Sequence, residues 1–113
     1  MDTRNINYLK KAIIIVLQDY LEFLGEDPEC KTQIVIDETH FAYLLIETGW
    51  HNSQRIYGTL IHIDIIDQKI WIQQDGTEQG IANELVKQGI SPTQIVLGYK
   101  TEERRKITDF AVS

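Results

Sequence analysis

The stretch that most constrains this chain runs from Arg55 to Gln88, RIYGTLIHIDIIDQKIWIQQDGTEQGIANELVKQ. Side chains alternate across a strand, so isoleucine at every second position of a long run demands one apolar partner surface. From Tyr57 to Ile66 the odd positions Tyr57, Thr59, Ile61, Ile63 and Ile65 point one way, and the even positions Gly58, Leu60, His62 and Asp64 the other. Asp67-Gln68 fits a two-residue hairpin loop, although it lacks the usual glycine. Pairing Ile66 with Lys69 then sets Ile65 against Ile70, Asp64 against Trp71, Ile63 against Ile72 and His62 against Gln73. That register puts four isoleucines on one face and His62, Asp64, Trp71 and Gln73 on the other. A slip by one residue would mix the two sets, which argues for this register. The isoleucine face is core; the other is where binding or chemistry would take place.

The rest of the chain supplies cover for that hairpin. Residues 4–24 read as an amphipathic helix, with Ile6, Leu9, Ile13, Val16, Leu17, Tyr20, Leu21 and Leu24 at spacings of three and four. Gly25 stops it, and Pro28 follows. Ala12, Ile14 and Ile15 widen the apolar arc, which calls for burial on two sides: between the sheet and another subunit, or deep within the domain itself. Thr32 to Asp37 alternates, with Ile34 and Ile36 on one face and Gln33, Val35 and Asp37 on the other. Phe41 to Thr48 is apolar on both faces and reads as a central strand. Gly49 to Gln54 reads as a loop carrying Trp50 and His51.

After the hairpin, Asp75 followed by Glu78 gives a capping-box start for a helix, with Thr77 as an alternative cap. Ile81, Leu85 and Val86 form its buried stripe. Gly89 suits the left-handed position after the helix, which lets Ile90 touch Leu85. Ser91-Pro92-Thr93-Gln94 predicts one short helical turn. Ile95 to Leu97 adds an edge strand or packs on the core, and Gly98 to Lys106 is polar. Ile107, Phe110 and Val112 are expected to tie the tail down. The expected fold is a single α+β domain over residues 1–113. It has an N-terminal helix, a four-stranded antiparallel β-meander, a second helix and a short C-terminal segment packed on the sheet.

Charge narrows the function. The 113 residues carry a formal net charge of −6, a poor balance for gripping DNA, which needs clustered Lys and Arg. Cys30 is the only cysteine, so neither an internal disulfide nor a thiolate metal site is available. The N-terminus lacks a signal-peptide layout, and the longest apolar run, Ala12 to Leu17, is too short to cross a bilayer. The expectation is a cytoplasmic protein with no membrane association.

His62 and Asp64 share a strand face about 7 Å apart, a spacing open to an acid–base pair or to two metal ligands. No HExxH, CxxC or paired-carboxylate motif accompanies them, and a solvent-facing or inter-subunit strand face explains the pair more simply. Trp71 reads either as an interface anchor or as a residue that the C-terminal segment folds over. The Gln74 to Gly80 junction lacks the phosphate-binding glycine patterns, and its two carboxylates would repel an anion, so capping is its role. Arg104, Arg105 and Lys106 follow Glu102 and Glu103, as on a solvated surface, and suit a protein contact better than DNA. The partner-binding candidates are Trp71, His62, Asp64, Gln73, Arg104 and Arg105. No residue is assigned to catalysis, to a cofactor or to a metal.

The segment YGTLIHIDIIDQKIWIQQDGTEQGIANELVKQGI resembles the XisI family, as do the following IVLGY, the cluster around Arg105 and Lys106 and the final TDFAV. These are the fdxN-element excision controlling factors of cyanobacteria and some other bacteria. The resemblance spans nearly the whole chain and is most specific from Tyr57 to Gln88. It implies a role beside XisH, a companion resembling a restriction-endonuclease-type nuclease, in programmed DNA-element excision carried out by a separate site-specific recombinase. Many relatives occur away from any such element. The family carries no established catalytic residues. The expected function is therefore a non-enzymatic accessory factor that binds a XisH-like protein, with a homodimer possible and direct nucleic-acid binding disfavoured. The alternative is a small enzyme or ligand-binding protein using the His62/Asp64 face.

Overall fold

The computed structural model describes residues 3–113. A long helix α1 (Thr3–Leu24) is followed by strands β1 (Cys30–Asp37), β2 (Ala42–His51), β3 (Gln54–Ile66) and β4 (Lys69–Asp75). Helix α2 (Ile81–Lys87), a 3₁₀ turn (Pro92–Gln94), strand β5 (Ile95–Leu97) and helix α3 (Glu102–Arg105) complete the chain. The strands lie in the order β1-β2-β3-β4-β5. The first four form the expected antiparallel meander, but β5 adds a fifth strand parallel to β4, so the sheet is mixed. A parallel neighbour needs a crossover rather than a hairpin, and α2 provides it.

Helices α1 and α2 cover one face of the sheet. Leu9, Ala12, Ile13, Val16 and Leu17 of α1 are buried against Tyr43 and Leu45 of β2 and against the isoleucines of β3 and β4. Ile81, Ala82 and Leu85 of α2 join the same core. The wide arc of α1 is covered from two sides within the chain, by the sheet and by α2. Each buried isoleucine contributes roughly 2 kcal/mol through removal from water, which fixes the register predicted for Ile63–Ile72 and Ile65–Ile70.

Both tight hairpins use two residues in the left-handed region. Asp67 and Gln68 have φ of 50° and 63°, as the two-residue loop requires. Asn52 and Ser53, at 49° and 65°, form a second such turn. Trp50 and His51 are consequently strand residues paired with Arg55 and Gln54, not the loop expected for residues 49–54.

Two bulges correct the face assignments. The pairing steps from Leu45↔Ile61 to Ile46↔Thr59, leaving Leu60 as an extra residue. An extra residue reverses the alternation on one side of it. Leu60 therefore packs towards the helices, while Thr59 and Tyr57 join His62 and Asp64 on the opposite face. The second bulge leaves Gln73 unpaired, so His62 faces Gln74 rather than Gln73.

Helix α2 starts at Ile81, later than Asp75, because Gly76 and Gly80 weaken a helical turn and Gly80 takes φ of 86°. Asp75 still caps it from a distance: Oδ2 accepts the Ile81 N–H at 2.8 Å, and Oδ1 accepts the Thr77 N–H at 2.9 Å. The other end closes as expected. Gly89 N–H donates to the Val86 carbonyl at 2.9 Å and Ile90 N–H to that of Leu85 at 3.1 Å. Ser91 caps the 3₁₀ turn through Oγ, which accepts from the Thr93 N–H. In the tail, Phe110 packs on the core and Ala111 donates its N–H to the Ile95 carbonyl at 2.8 Å. Ile107 is 84% exposed and ties nothing down, contrary to expectation. Among the described residues, no helix is long and apolar enough to cross a membrane.

Candidate functional site

The sheet face opposite to α1 and α2 is divided into two halves. Over β4 and β5 it is strapped by the chain's own C-terminal segment. Val96, on the face opposite to Ile95 and Leu97, is fully buried and bridges to Ala111. Arg105 locks this strap. Its Nε donates to the carbonyls of Lys100 (2.9 Å) and Leu97 (3.2 Å), and Nη1 donates to that of Val112 (3.2 Å). The guanidinium carbon lies 5.2 Å from the centre of the Trp71 ring, a cation–π stack. Trp71 is half-buried beneath the tail. Arg105 is committed to the fold, whereas Arg104 is exposed.

At the border of the strap, three of the predicted residues converge. His62 Nε2 and Asp64 Oδ1 are 2.9 Å apart, and Gln73 Nε2 donates to Asp64 Oδ2 at 3.2 Å. Trp71 lies directly across from Asp64. The bulge at Gln73 brings its amide to the Asp64 carboxylate instead of opposite His62. The His62 and Asp64 side chains are 35% and 22% exposed, so the network is a half-solvated surface feature. It offers donors and an acceptor in fixed positions, as a recognition surface does.

The β1–β3 half is bare. Leu44 and Ile46 of β2 and Val35 of β1 give it a partly exposed apolar centre. Tyr57 is 76% exposed and Trp50 57%, with the Arg55 guanidinium stacked 5.1 Å from the Trp50 ring centre. Tyr57 and Trp50 lie outside the face expected from the sequence. Counting alternate positions across Leu60 put Tyr57 on the core side, and the Asn52-Ser53 turn was hidden inside a polar loop.

Other polar features lie on the helix side. A cavity of about 170 Å³ between α1 and α2 is lined by residues that include Val16, Asp19, Tyr20, Phe23, Ile81 and Glu84. Burial, then the charges of Asp75, Glu78 and Glu47, raise the Tyr20 phenol above its ordinary range. Nearby, burial and then Glu47 and Asp27 push the Cys30 thiol up. Among the described residues, no group of three or more His, Cys, Asp or Glu side chains converges as a metal site.

Fold and face together define a class: a small α+β domain with its two longer helices on one side of a five-stranded mixed sheet and an open, half-strapped face on the other. The chain belongs to the XisI protein family, which matches residues 1–112. It is similar to the crystal structure of a XisI-like protein from Anabaena variabilis, with 33% identity and a TM-score of 0.85, over 96% of this chain and 99% of that one. It is also similar to the fdxN element excision controlling factor XisI of the same organism, with 27% identity and a TM-score of 0.84 over the same shares. None of the curated proteins matches it.

Proposed function

We propose that this protein is a non-enzymatic accessory factor that acts in the cytoplasm with a XisH-like nuclease to control DNA-element excision by site-specific recombination. The observation that carries this reading is family membership over residues 1–112, joined to likeness with a structure named for an excision controlling factor. The net charge of −6 supports it physically: an acidic domain is complementary to the basic DNA groove of a nuclease and gains association rate from that complementarity. The proposed contact is the network of His62, Asp64 and Gln73 with Trp71 across from Asp64, and it extends to the exposed Arg104.

The alternative reading, a small enzyme or ligand-binding protein, has the His62–Asp64 hydrogen bond in its favour. That pair lies on an open strand face, while the cavity between α1 and α2 is on the other side of the sheet. Size-exclusion chromatography with light scattering on the protein mixed with its XisH-like neighbour tests the leading reading. The expected result is a stoichiometric complex, weakened roughly tenfold by His62→Ala with Asp64→Ala. Two separately eluting proteins at micromolar concentrations would overturn it.

A further inference from the structure

We infer that the bare β1–β3 half of the sheet face is the site at which a second copy of this chain docks, sheet against sheet. The chain covers the β4–β5 half itself, sealing Val96 and stacking Arg105 on Trp71, and leaves Leu44, Ile46 and Tyr57 without cover. A contiguous patch of this kind marks an interface.

The distribution of charge selects the occupant. Residues directly opposite each other across the strands share a face, so the register places Lys31 beside Thr48 and Tyr57 at one end, with Arg55 two pairs further out. At the other end Asp37, Ala42 and Asp64 stand in one row. The face is thus basic at one end, apolar in the middle and acidic at the other end. Stacked sheets keep their strands roughly aligned, about 10 Å apart. A two-fold axis lying between the sheets and running across the strands turns the face end for end. Lys31 of each copy then lies over Asp37 of the other, Arg55 reaches towards Asp64, and Ile46 lies against Leu44. An axis along the strands would instead put basic ends together, which like-charge repulsion opposes. A symmetric pair makes each contact twice, so a modest patch is used doubly. This pairing uses Asp64, which the proposed XisH-like contact also claims, so the second copy and the XisH-like partner compete for that end of the face.

Light scattering on the protein alone tests the inference. The expected mass is that of a dimer, falling to the monomer as salt is raised. Ile46→Lys, at the centre of the face, is expected to weaken the dimer at least about tenfold. Lys31→Glu and Asp37→Lys are each expected to weaken it, and an equimolar mixture of the two is expected to restore it. In the mixed pair the introduced glutamate meets the introduced lysine, and the unchanged Asp37 of one chain meets the unchanged Lys31 of the other. Thermal melts establish that each variant is folded, and if Asp37→Lys fails to fold, Ile46→Lys and Lys31→Glu decide the matter. A wild-type monomer at roughly 100 μM overturns the inference, as does a dimer that survives Ile46→Lys. Complex formation with a XisH-like protein is scored separately, so either reading fails without the other.

Discussion

Tyr43 is the residue at which packing and polarity conflict most openly. Its side chain is fully buried in the core, and its hydroxyl has no hydrogen-bond partner among the described residues. Burial, reinforced by the charge of Glu38, pushes its pKa up to about 12, so the phenol is neutral at physiological pH. An unsatisfied buried hydroxyl costs on the order of 1 kcal/mol or more, and removing it costs little packing. Tyr43→Phe is therefore expected to stabilise the protein by about 1 kcal/mol, read as a higher urea midpoint with an unchanged slope. A lower midpoint would mean that the hydroxyl is satisfied in solution. Cys30 gives a second residue-scale expectation. The thiolate is the reactive form, and burial together with Glu47 and Asp27 disfavours it. Alkylation at neutral pH is expected to run slower than for free cysteine, with its pH–rate midpoint displaced upwards. Glu47→Gln is expected to move that midpoint back down; a midpoint at the free-thiol value in the parent protein would contradict the assignment.

The elements that were legible in the sequence are those specified locally. The Asp67-Gln68 hairpin, the stop at Gly25 and the closure around Gly89 each depend on residues within a few positions of one another. The end of α1 and the Ile63–Ile72 register follow from periodicity for the same reason. The Leu60 bulge was not legible, because a leucine there is as apolar as its neighbours and only the lost pairing step reveals it. Arg105 was equally hidden, since its carbonyl partners come from three separate places in the C-terminal segment. Two glycines show how these elements lean on one another. A Cβ at Gly98 would lie 2.6 Å from Gln73 Oε1 and 3.2 Å from Trp71 Cε3, side-chain atoms with some freedom to move, and 3.1 Å from the Ile72 backbone carbonyl oxygen. A Cβ at Gly49 would collide with the Glu29 carbonyl and lie 2.8 Å from the Cys30 Cα, which are backbone atoms held by the sheet edge. Gly98→Ala is expected to cost roughly 1–3 kcal/mol and to alter tryptophan fluorescence. Gly49→Ala is expected to cost more, and equal losses in denaturant titrations would refute this ranking.

Across the whole molecule, stability is layered by how each part is held. The meander pairs neighbours in sequence, and its longest ladder joins β2 to β3 through ten pairs that include the buried Leu45↔Ile61 and Tyr43↔Ile63. β5 has only three paired residues, and the strap beyond it rests on Arg105, Phe110 and the bridge at Ala111. Opening the strap exposes Val96 and Trp71 and withdraws Phe110 from the edge of the core, but leaves α1 packed on the β2–β3 isoleucines and leucines. Local openings of this kind cost less than global unfolding. Native-state hydrogen exchange is therefore expected to be slowest for the amides of Leu45, Ile61 and Ile63 and distinctly faster for Ala111. Arg105→Ala removes the guanidinium's hold on the strap carbonyls and on Trp71. It is expected to speed Ala111 exchange at least about tenfold while leaving the β2–β3 amides nearly unchanged. Uniform acceleration throughout the sheet would instead make strap and meander one cooperative unit. The distinction matters for recognition, because a strap that opens by itself would join the covered half of the sheet face to the bare half. A partner meeting Trp71 would then compete with the chain's own tail for that surface.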